Sequence, residues 1–353
     1  MEQEKISKLE RSIQNMKDKT SKIYLLVQDT KGNAKASIAY MYRLGLTLLN
    51  AGYNTIILHE NKEYVGVGEW LGQEYMDKLP HQSIDGQNLE VSPEDFIVIP
   101  ELFGFVMNQI TQLPCGKIVL CQAYDHILET LQPGQTWGQL GFFKCITTSE
   151  EQKEYITGVM KNVSIDILEP YISDRFTKQT LPSKPIVALF AREQRDAMNL
   201  VKAFYIKYPQ YRWITFRDMR NLTEKQFADG LKDVCLSVWI DEVSGYGTFP
   251  LESMKTNVPV LGLVPNLLPN WINEGNGFWV NNKLQLVDFV AEYLQSWLED
   301  GVDEKLYDEM DKTVQSLSTQ EKFESTAVSL FEGYLNTRLN SFEEQLSKLE
   351  TIE

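Results

Sequence analysis

The sequence predicts an α/β protein of two domains in tandem, each a mostly parallel sheet covered by helices on both faces, with further helices at both chain ends. Three observations carry this. Short apolar runs alternate with amphipathic stretches between residues 22 and 175. A stretch with two prolines and no apolar periodicity, residues 176–185, interrupts them, and the alternation then restarts. The length, 353 residues, exceeds one typical domain and suits two of roughly 150 to 200 residues each.

At the N-terminus, Ile6, Leu9, Ile13 and Met16 lie three, four and three residues apart and place one apolar stripe on a charged helix over residues 1–20. KIYLLVQDT, the helical stretch IAYMYRLGLTLLNAG and NTIILHE follow as a βαβ opening. Further buried strands are expected at DFIVIPEL (95–102), KIVLCQAY (117–124), FKCITTS (143–149) and SIDILEPYI (164–172). Ser149 and Gln152 form a capping box that starts the helix EEQKEYITGVM. This first domain is expected over 21–178, closing on the linker FTKQTLPSKP.

The second domain, expected over 179–300, opens with the strand PIVALFA and the helix MNLVKAFYIKY. RWITF, a short helix, VCLSVWI, a helix from about Pro250, VPVLGLV and GFWV complete it. Residues 301–353 read as helices crossing back to the first domain, with a second stripe at Leu339, Phe342, Leu346, Leu349 and Ile352. Each terminal stripe is expected to cap a domain surface, although pairing of the two, within one chain or in a homodimer, is the sharper alternative. Two such domains suggest a ligand cleft between their carboxyl strand ends.

Composition excludes several function classes. With 43% apolar residues and 34 Gly plus Pro, the chain can fill ordinary cores and is not low-complexity. The balance of 34 Lys plus Arg against 49 Asp plus Glu gives a net charge of −15, and no dense basic run exists. A nucleic-acid backbone or an anionic bilayer is therefore not the expected partner. The four cysteines, at 115, 121, 145 and 235, lack the paired short spacing of thiolate metal sites and read as buried free thiols. The three histidines, His59, His81 and His126, are far apart in sequence, which disfavours a His-rich metal site or a Ser-His-Asp triad. The charged N-terminus has no apolar core, and no stretch approaches a membrane span, so a cytoplasmic location is expected.

The most informative stretch is Ser244-Gly-Tyr-Gly-Thr-Phe-Pro-Leu-Glu252, between a buried strand and a helix. Gly245 and Gly247 permit backbone conformations and close approaches that a Cβ would block. Thr248 can cap, and Pro250 suits the first helical turn. Such a turn aims free N–H groups and the positive end of a helix dipole at a ligand, and a phosphate is the natural guest. Glu252 is expected in that first turn, where a carboxylate also favours the dipole without any ligand.

SGYGTFPLESMKTNVPVLGL followed by PNWINEGNGFWVNN closely resembles the donor-binding segment of GT-B glycosyltransferases, especially glycosyltransferase family 4. That family shows Glu-Gly-Phe-Gly with a second Glu eight positions after the first, then a Pro-Val strand and an Asn-Gly turn. Gly245, Tyr246 and Gly247 fall on Gly-Phe-Gly, Glu252 on the second Glu, Pro259 and Val260 on Pro-Val, and Asn276-Gly277 on the later turn. Ser244 departs, standing where the family has the Glu that contacts the donor sugar; Asp241 or Glu242 could reach in from upstream. The resemblance implies that Glu252 binds the ribose hydroxyls.

A second match, ALFAREQRDAMNLVKAF, resembles the family's Gly-Arg, Lys-Gly and helix segment, with Ala191 in place of its glycine. Arg192 and Arg195 take the basic positions, where they could neutralise a diphosphate leaving group or simply pair with Glu193 and Asp196. The second domain is shorter than the family norm, which makes Arg217, Asp218 and Arg220 the loop expected nearest the base. In the first domain the resemblance is looser. The turn Asp29-Thr-Lys-Gly-Asn33, with Gly32 and Asn33, and the strand-end residues Gln122, Tyr124 and His126 are candidates for the acceptor side.

The resemblance thus implies two Rossmann-like domains and transfer of a sugar from a nucleotide-sugar donor, UDP- or GDP-linked, to a hydroxyl acceptor. The acidic chain with no basic amphipathic helix points to a soluble or macromolecular acceptor rather than a bilayer lipid. Retention of configuration is implied, with no metal and no other cofactor, because a helix terminus and arginines take the place of a cation. Asp241, Glu242 and His126 are the catalytic candidates. A catalytically inactive GT-B-like binding or structural module is the alternative, motivated by Ser244, and a nucleotide-sugar epimerase ranks last.

Overall fold

The computed structural model describes residues 2–85, 89–180, 184–191, 193–240, 245–301 and 303–350. The chain divides into two compact units, Met1–Glu169 with Glu321–Glu353, and Pro170–Gln320.

In the first unit the strands are β1 (Lys22–Leu26), β2 (Asn54–His59), β3 (His81–Ser83), β4 (Phe96–Pro100), β5 (Gly116–Cys121), β6 (Lys144–Thr147) and β7 (Ser164–Ile167). They form one parallel sheet in the order β3-β2-β1-β4-β5-β6-β7. The central apolar runs are buried on both faces, as parallel sheets require, and every residue of β4 is buried, whereas the edge strand β7, expected as a buried strand, has no buried residue. Helices α1 (Glu2–Lys17), α2 (Ala36–Asn50), α3 (Gln73–Lys78), α4 (Gly104–Gln109), α5 (His126–Glu129) and α6 (Glu150–Val159) connect or cover the strands. Ser149 accepts from Gln152 N, as the capping-box spacing predicts.

The second unit holds β8 (Ile186–Phe190), α7 (Gln194–Lys207), β9 (Thr215–Asp218), α8 (Glu224–Leu231), β10 (Leu236–Trp239), α9 (Thr248–Lys255), β11 (Val260–Leu263), β12 (Phe278–Val280), α10 (Lys283–Glu299) and α11 (Glu304–Ser316). Its parallel sheet runs β12-β11-β10-β8-β9. Alternate residues of β8 enter opposite core layers, Val187 and Leu189 on the side of α7 and α10, Ala188 on the side of α8, α9 and α11. The strand order reverses between β1 and β4 in one sheet and between β8 and β10 in the other, the points at which open α/β sheets place ligands.

Three expected boundaries move. Residues 176–178 are not linker: Phe176 is 1% exposed and packs with Ile172 in the second unit's core, which therefore begins at Pro170. The C-terminal helices divide, because Leu306, Tyr307 and Met310 of α11 are buried in that same core while the last helix, α12 (Gln320–Glu350), belongs to the first unit. There Tyr334 donates to Asp166 at 2.7 Å, Phe323 meets Tyr40 edge-on, and the Arg338 guanidinium caps the carbonyls of Pro93 and Pro114.

The N-terminal helix is also part of the first unit. Met16 is fully buried, Ser12 and Asn15 hold the buried Glu94, and Lys17 pairs with Glu343 at 2.8 Å. The terminal helices therefore meet within one chain, where Ile13, Met16 and Phe342 are already buried, rather than capping separate surfaces. All four cysteines are free and buried. Among the described residues no helix is long and apolar enough to cross a membrane.

Candidate functional site

In the second unit, Phe190 of β8 and Trp239 of β10 are register partners at adjacent strand ends. From one the chain runs into α7, from the other into α9. Arg192, Asp241, Glu242 and Ser244 of these connections lie outside the described residues. Gly247 takes the N-cap position of α9 with φ +78° and ψ +51°, a left-handed conformation that suits glycine. This corrects the expectation that Thr248 caps; Thr248 is the first helical residue. Since glycine has no side chain to accept from them, Gly247 leaves the first N–H groups of α9 to other acceptors.

Glu252 is the fifth residue of α9, one place past the first turn, and lies half-buried four residues from Thr248. The two share a helix face, while Leu251 and Met254 point into the core. Beneath the helix, Ser253 Oγ donates to Ser237 Oγ of β10 at 3.0 Å, fixing α9 to the strand that precedes it.

Tyr246, expected on the donor side, turns its side chain into the core. The residue is 8% exposed and packs in the core with Leu251 and Met254. Its carbonyl accepts from Trp271 Nε1 at 2.7 Å. Trp271 is itself held by Asn276, whose Nδ2 donates to the Trp271 carbonyl and to Thr313 Oγ1, while Asn276 Oδ1 accepts from Trp279 Nε1. The Asn-Gly turn of the motif is thus a buried brace for the Gly-Tyr-Gly turn, and Asn276 has no exposed surface.

Arg195 lies in the first turn of α7 and is exposed. Asp196, one of its expected partners, is bridged by Lys283 at 2.6 Å, which holds the carboxyl below its ordinary value. Arg217 is not in a loop. It stands on β9 and donates to the carbonyls of Gly230 and Lys232, the orphan acceptors at the C-terminal end of α8. Arg220 is likewise occupied, by a two-pronged bond to Asp218.

In the first unit, the connections after β1, β4 and β5 leave adjacent strand ends. After β1, Gly32 has φ +81°, and Asn33 closes the turn with both its backbone and side-chain amides on the Thr30 carbonyl. After β5, Gln122 donates to the Ser37 carbonyl and accepts from Gln152, tying the loop to α2 and α6. Tyr124 is half-buried, edge-on to Tyr155 at 5.2 Å, and His126 is half-exposed with Nδ1 3.1 Å from Glu129.

Sequence reasoning missed two features here. Glu101, directly after β4, is 2% exposed, and burial pushes its carboxyl up to about 7. The signal was available as an acid following Pro100 at the end of a wholly apolar run. Two of the three histidines also converge: His59 stacks on Tyr64 at 4.2 Å, and Tyr42 bonds to both Tyr64 and His81. Parallel pairing of β2 with β3 makes this meeting, which sequence separation concealed. Among the described residues no group of three His, Cys, Asp or Glu side chains could hold a metal ion.

No family model matches the chain. It is 22% identical over 237 residues to an alpha-1,6-glucosyltransferase of Actinobacillus pleuropneumoniae serotype 7 (strain AP76), covering 61% of this chain and 71% of that protein. Among solved structures, sucrose-phosphate synthase from Thermosynechococcus elongatus superposes with a TM-score of 0.67 at 14% identity, covering 90% of this chain and all of that one. The fold is GT-B. S. aureus TarM, solved as a mutant in complex with fondaparinux, alpha-GlcNAc-glycerol and UDP, gives 0.64 at 8% identity, over 88% of this chain and 99% of that one. Anabaena HepE in complex with UDP gives 0.57 at 11% identity, over 90% and 100%. The GT-B match supports the fold class that the strand and helix pattern predicts.

Proposed function

We propose that this chain is a GT-B glycosyltransferase that moves a sugar from a nucleoside-diphosphate donor, UDP-linked, to a soluble or macromolecular hydroxyl acceptor. The observation that carries the reading is the pairing of Phe190 with Trp239, which starts the Arg195 helix and the Gly247 helix from neighbouring strand ends. An N-terminus opened by glycine and an exposed arginine suit a diphosphate. Glu252, on the same face as Thr248, is assigned to the ribose hydroxyls.

In this reading the bond from the anomeric carbon to the diphosphate oxygen breaks, its electron pair leaving with the diphosphate, while the acceptor oxygen bonds to that carbon and its hydroxyl proton passes to the departing diphosphate oxygen. The helix dipole, its free N–H groups and Arg195 stabilise the charge that develops on the departing diphosphate, so that no metal is needed. Retention of configuration is part of the proposal. UDP is preferred because the TarM and HepE structures contain it.

The test is calorimetry with UDP, GDP and their glucose conjugates, combined with a transfer and hydrolysis assay over a panel of nucleotide sugars. Binding of UDP with turnover of a UDP-sugar supports the proposal, and absence of nucleotide binding refutes it. Ser244 in place of the family's first Glu favours one second reading, a binding module without catalysis, which nucleotide binding without turnover would select.

A further inference from the structure

One residue ties down both ends of a segment that carries two acceptor-side candidates. Glu101 Oε1 accepts from the Ala123 N–H at 2.9 Å, and the Glu101 N–H donates to the Leu120 carbonyl at 3.1 Å. At the far end of the segment, Thr130 Oγ1 donates to the Glu101 carbonyl at 2.9 Å. Between these anchors lie Tyr124 and α5 with His126. Gly104, at the start of α4, makes the close approach possible, since a Cβ there would stand 2.1 Å from the Thr130 carbonyl oxygen.

A carboxyl is an unusual choice for this anchor. Glu101 Oε2 is buried and, among the described residues, makes no hydrogen bond of ordinary geometry, while the backbone N–H groups of Glu101, Gln122 and Ala123 favour the ionised carboxyl. A neutral amide or an alcohol would anchor Ala123 at lower desolvation cost. The groups whose charge reaches it are Cys121 of β5, Cys145 of β6 and His126 of α5; Asp125 acts on the same Cys121 thiol. Neither cysteine supplies a positive charge, and His126 does so only when protonated. Glu101 also stands at the switch point beside β1, where the order of this sheet reverses.

We infer that Glu101 is a positioning residue for the acceptor-side segment 122–130, holding Tyr124 and His126 in place through a hydrogen bond to Ala123 that is stronger when the carboxyl is ionised. The inference rests on the glycosyltransferase reading for its consequence in activity, though not for the clamp itself. With a carboxyl raised to about 7, the strength of the clamp changes across neutral pH. Transfer should rise as pH increases through that value, because ionisation converts a neutral hydrogen bond into a charge-assisted one.

Glu101→Gln tests this with little change of shape. Its amide oxygen can still accept from Ala123, but it cannot ionise. The variant should bind UDP within twofold of the parent, lose about tenfold in kcat/KM for the acceptor at pH 8, and show no rise in transfer through pH 7. Thr130→Val, which removes the other anchor, should lower the same constant while keeping the pH dependence. Parental acceptor kinetics and pH profile in Glu101→Gln would overturn the inference.

Amide hydrogen exchange, corrected for intrinsic rates, reads the clamp independently of activity. At pH 8 residues 122–130 should exchange several-fold faster in Glu101→Gln than in the parent, while β2 amides, as a folding control, keep their protection. Unchanged exchange in the segment refutes the clamp whatever the activity. Faster exchange in a chain that transfers no sugar sustains the clamp and refutes the glycosyltransferase reading alone.

Discussion

The Trp271 indole donates to the Tyr246 carbonyl at 2.7 Å, so the connection between β11 and β12 supports the turn that opens α9. Both residues are buried, and the bond joins a donor and an acceptor inside the core. The conformation of the turn that opens α9 is thereby set from within the core.

Trp271→Phe keeps an aromatic ring but leaves the Tyr246 carbonyl without its donor. Urea unfolding should show a loss of about 1 to 3 kcal/mol, and calorimetry a several-fold weaker affinity for UDP. Parental affinity in a destabilised variant would mean that the turn does not need this brace.

Gly247→Ala forces a Cβ into a left-handed conformation that costs about 1 to 2 kcal/mol. The variant should unfold at lower urea and bind both UDP and inorganic pyrophosphate less well, since the α9 N-terminus would be displaced. Unaltered pyrophosphate binding would remove this helix terminus from the diphosphate site.

Glu252→Ala and Arg195→Ala should separate the two halves of the donor. Loss of a charged hydrogen bond is worth about 1.5 to 3 kcal/mol, or roughly one to two decades in affinity. Glu252→Ala should therefore weaken uridine and UDP alike, whereas Arg195→Ala should weaken UDP and spare uridine. The reverse pattern would exchange the assigned roles, and no effect from either would refute both.

Arg217→Met gives a contrasting outcome. With its guanidinium engaged by the Gly230 and Lys232 carbonyls, the loss should appear in stability and not in nucleotide binding. A change in UDP affinity without a change in unfolding would restore the loop role that the sequence suggests.

The histidine pair makes stability depend on pH. Burial lowers both His59 and His81 below the ordinary value, and for His81 the neighbouring His59 adds to the effect. Below about pH 6.5 the unfolded chain takes up protons that the folded chain resists, so this contribution is complete above that pH and declines on acidification. His81→Gln should show a shallower loss of stability between pH 7.5 and 5 than the parent in urea titrations. Equal slopes would exclude His81 as a source.

The alternation of strand and helix was legible because each piece is local. An apolar run such as Phe96–Pro100 declares burial on both faces, and Ser149 with Gln152 declares a helix start, whatever the rest of the chain does. The Gly245-Tyr-Gly247 turn was legible for the same reason, since a left-handed residue ahead of a helix asks for glycine at that very position. Membership and partnership were not local. Only packing decided that Phe176 and α11 complete the second core and that Arg217 serves carbonyls, whereas the return of α12 to the first unit was expected from the sequence. The same holds for the burial of the Tyr246 ring, the anchoring of residues 123 and 130 by Glu101, and the meeting of His59 with His81. A parallel sheet brings strand ends together from segments dozens of residues apart, and whether a polar group there meets water, a partner or neither is a property of that assembly, which no window of sequence contains.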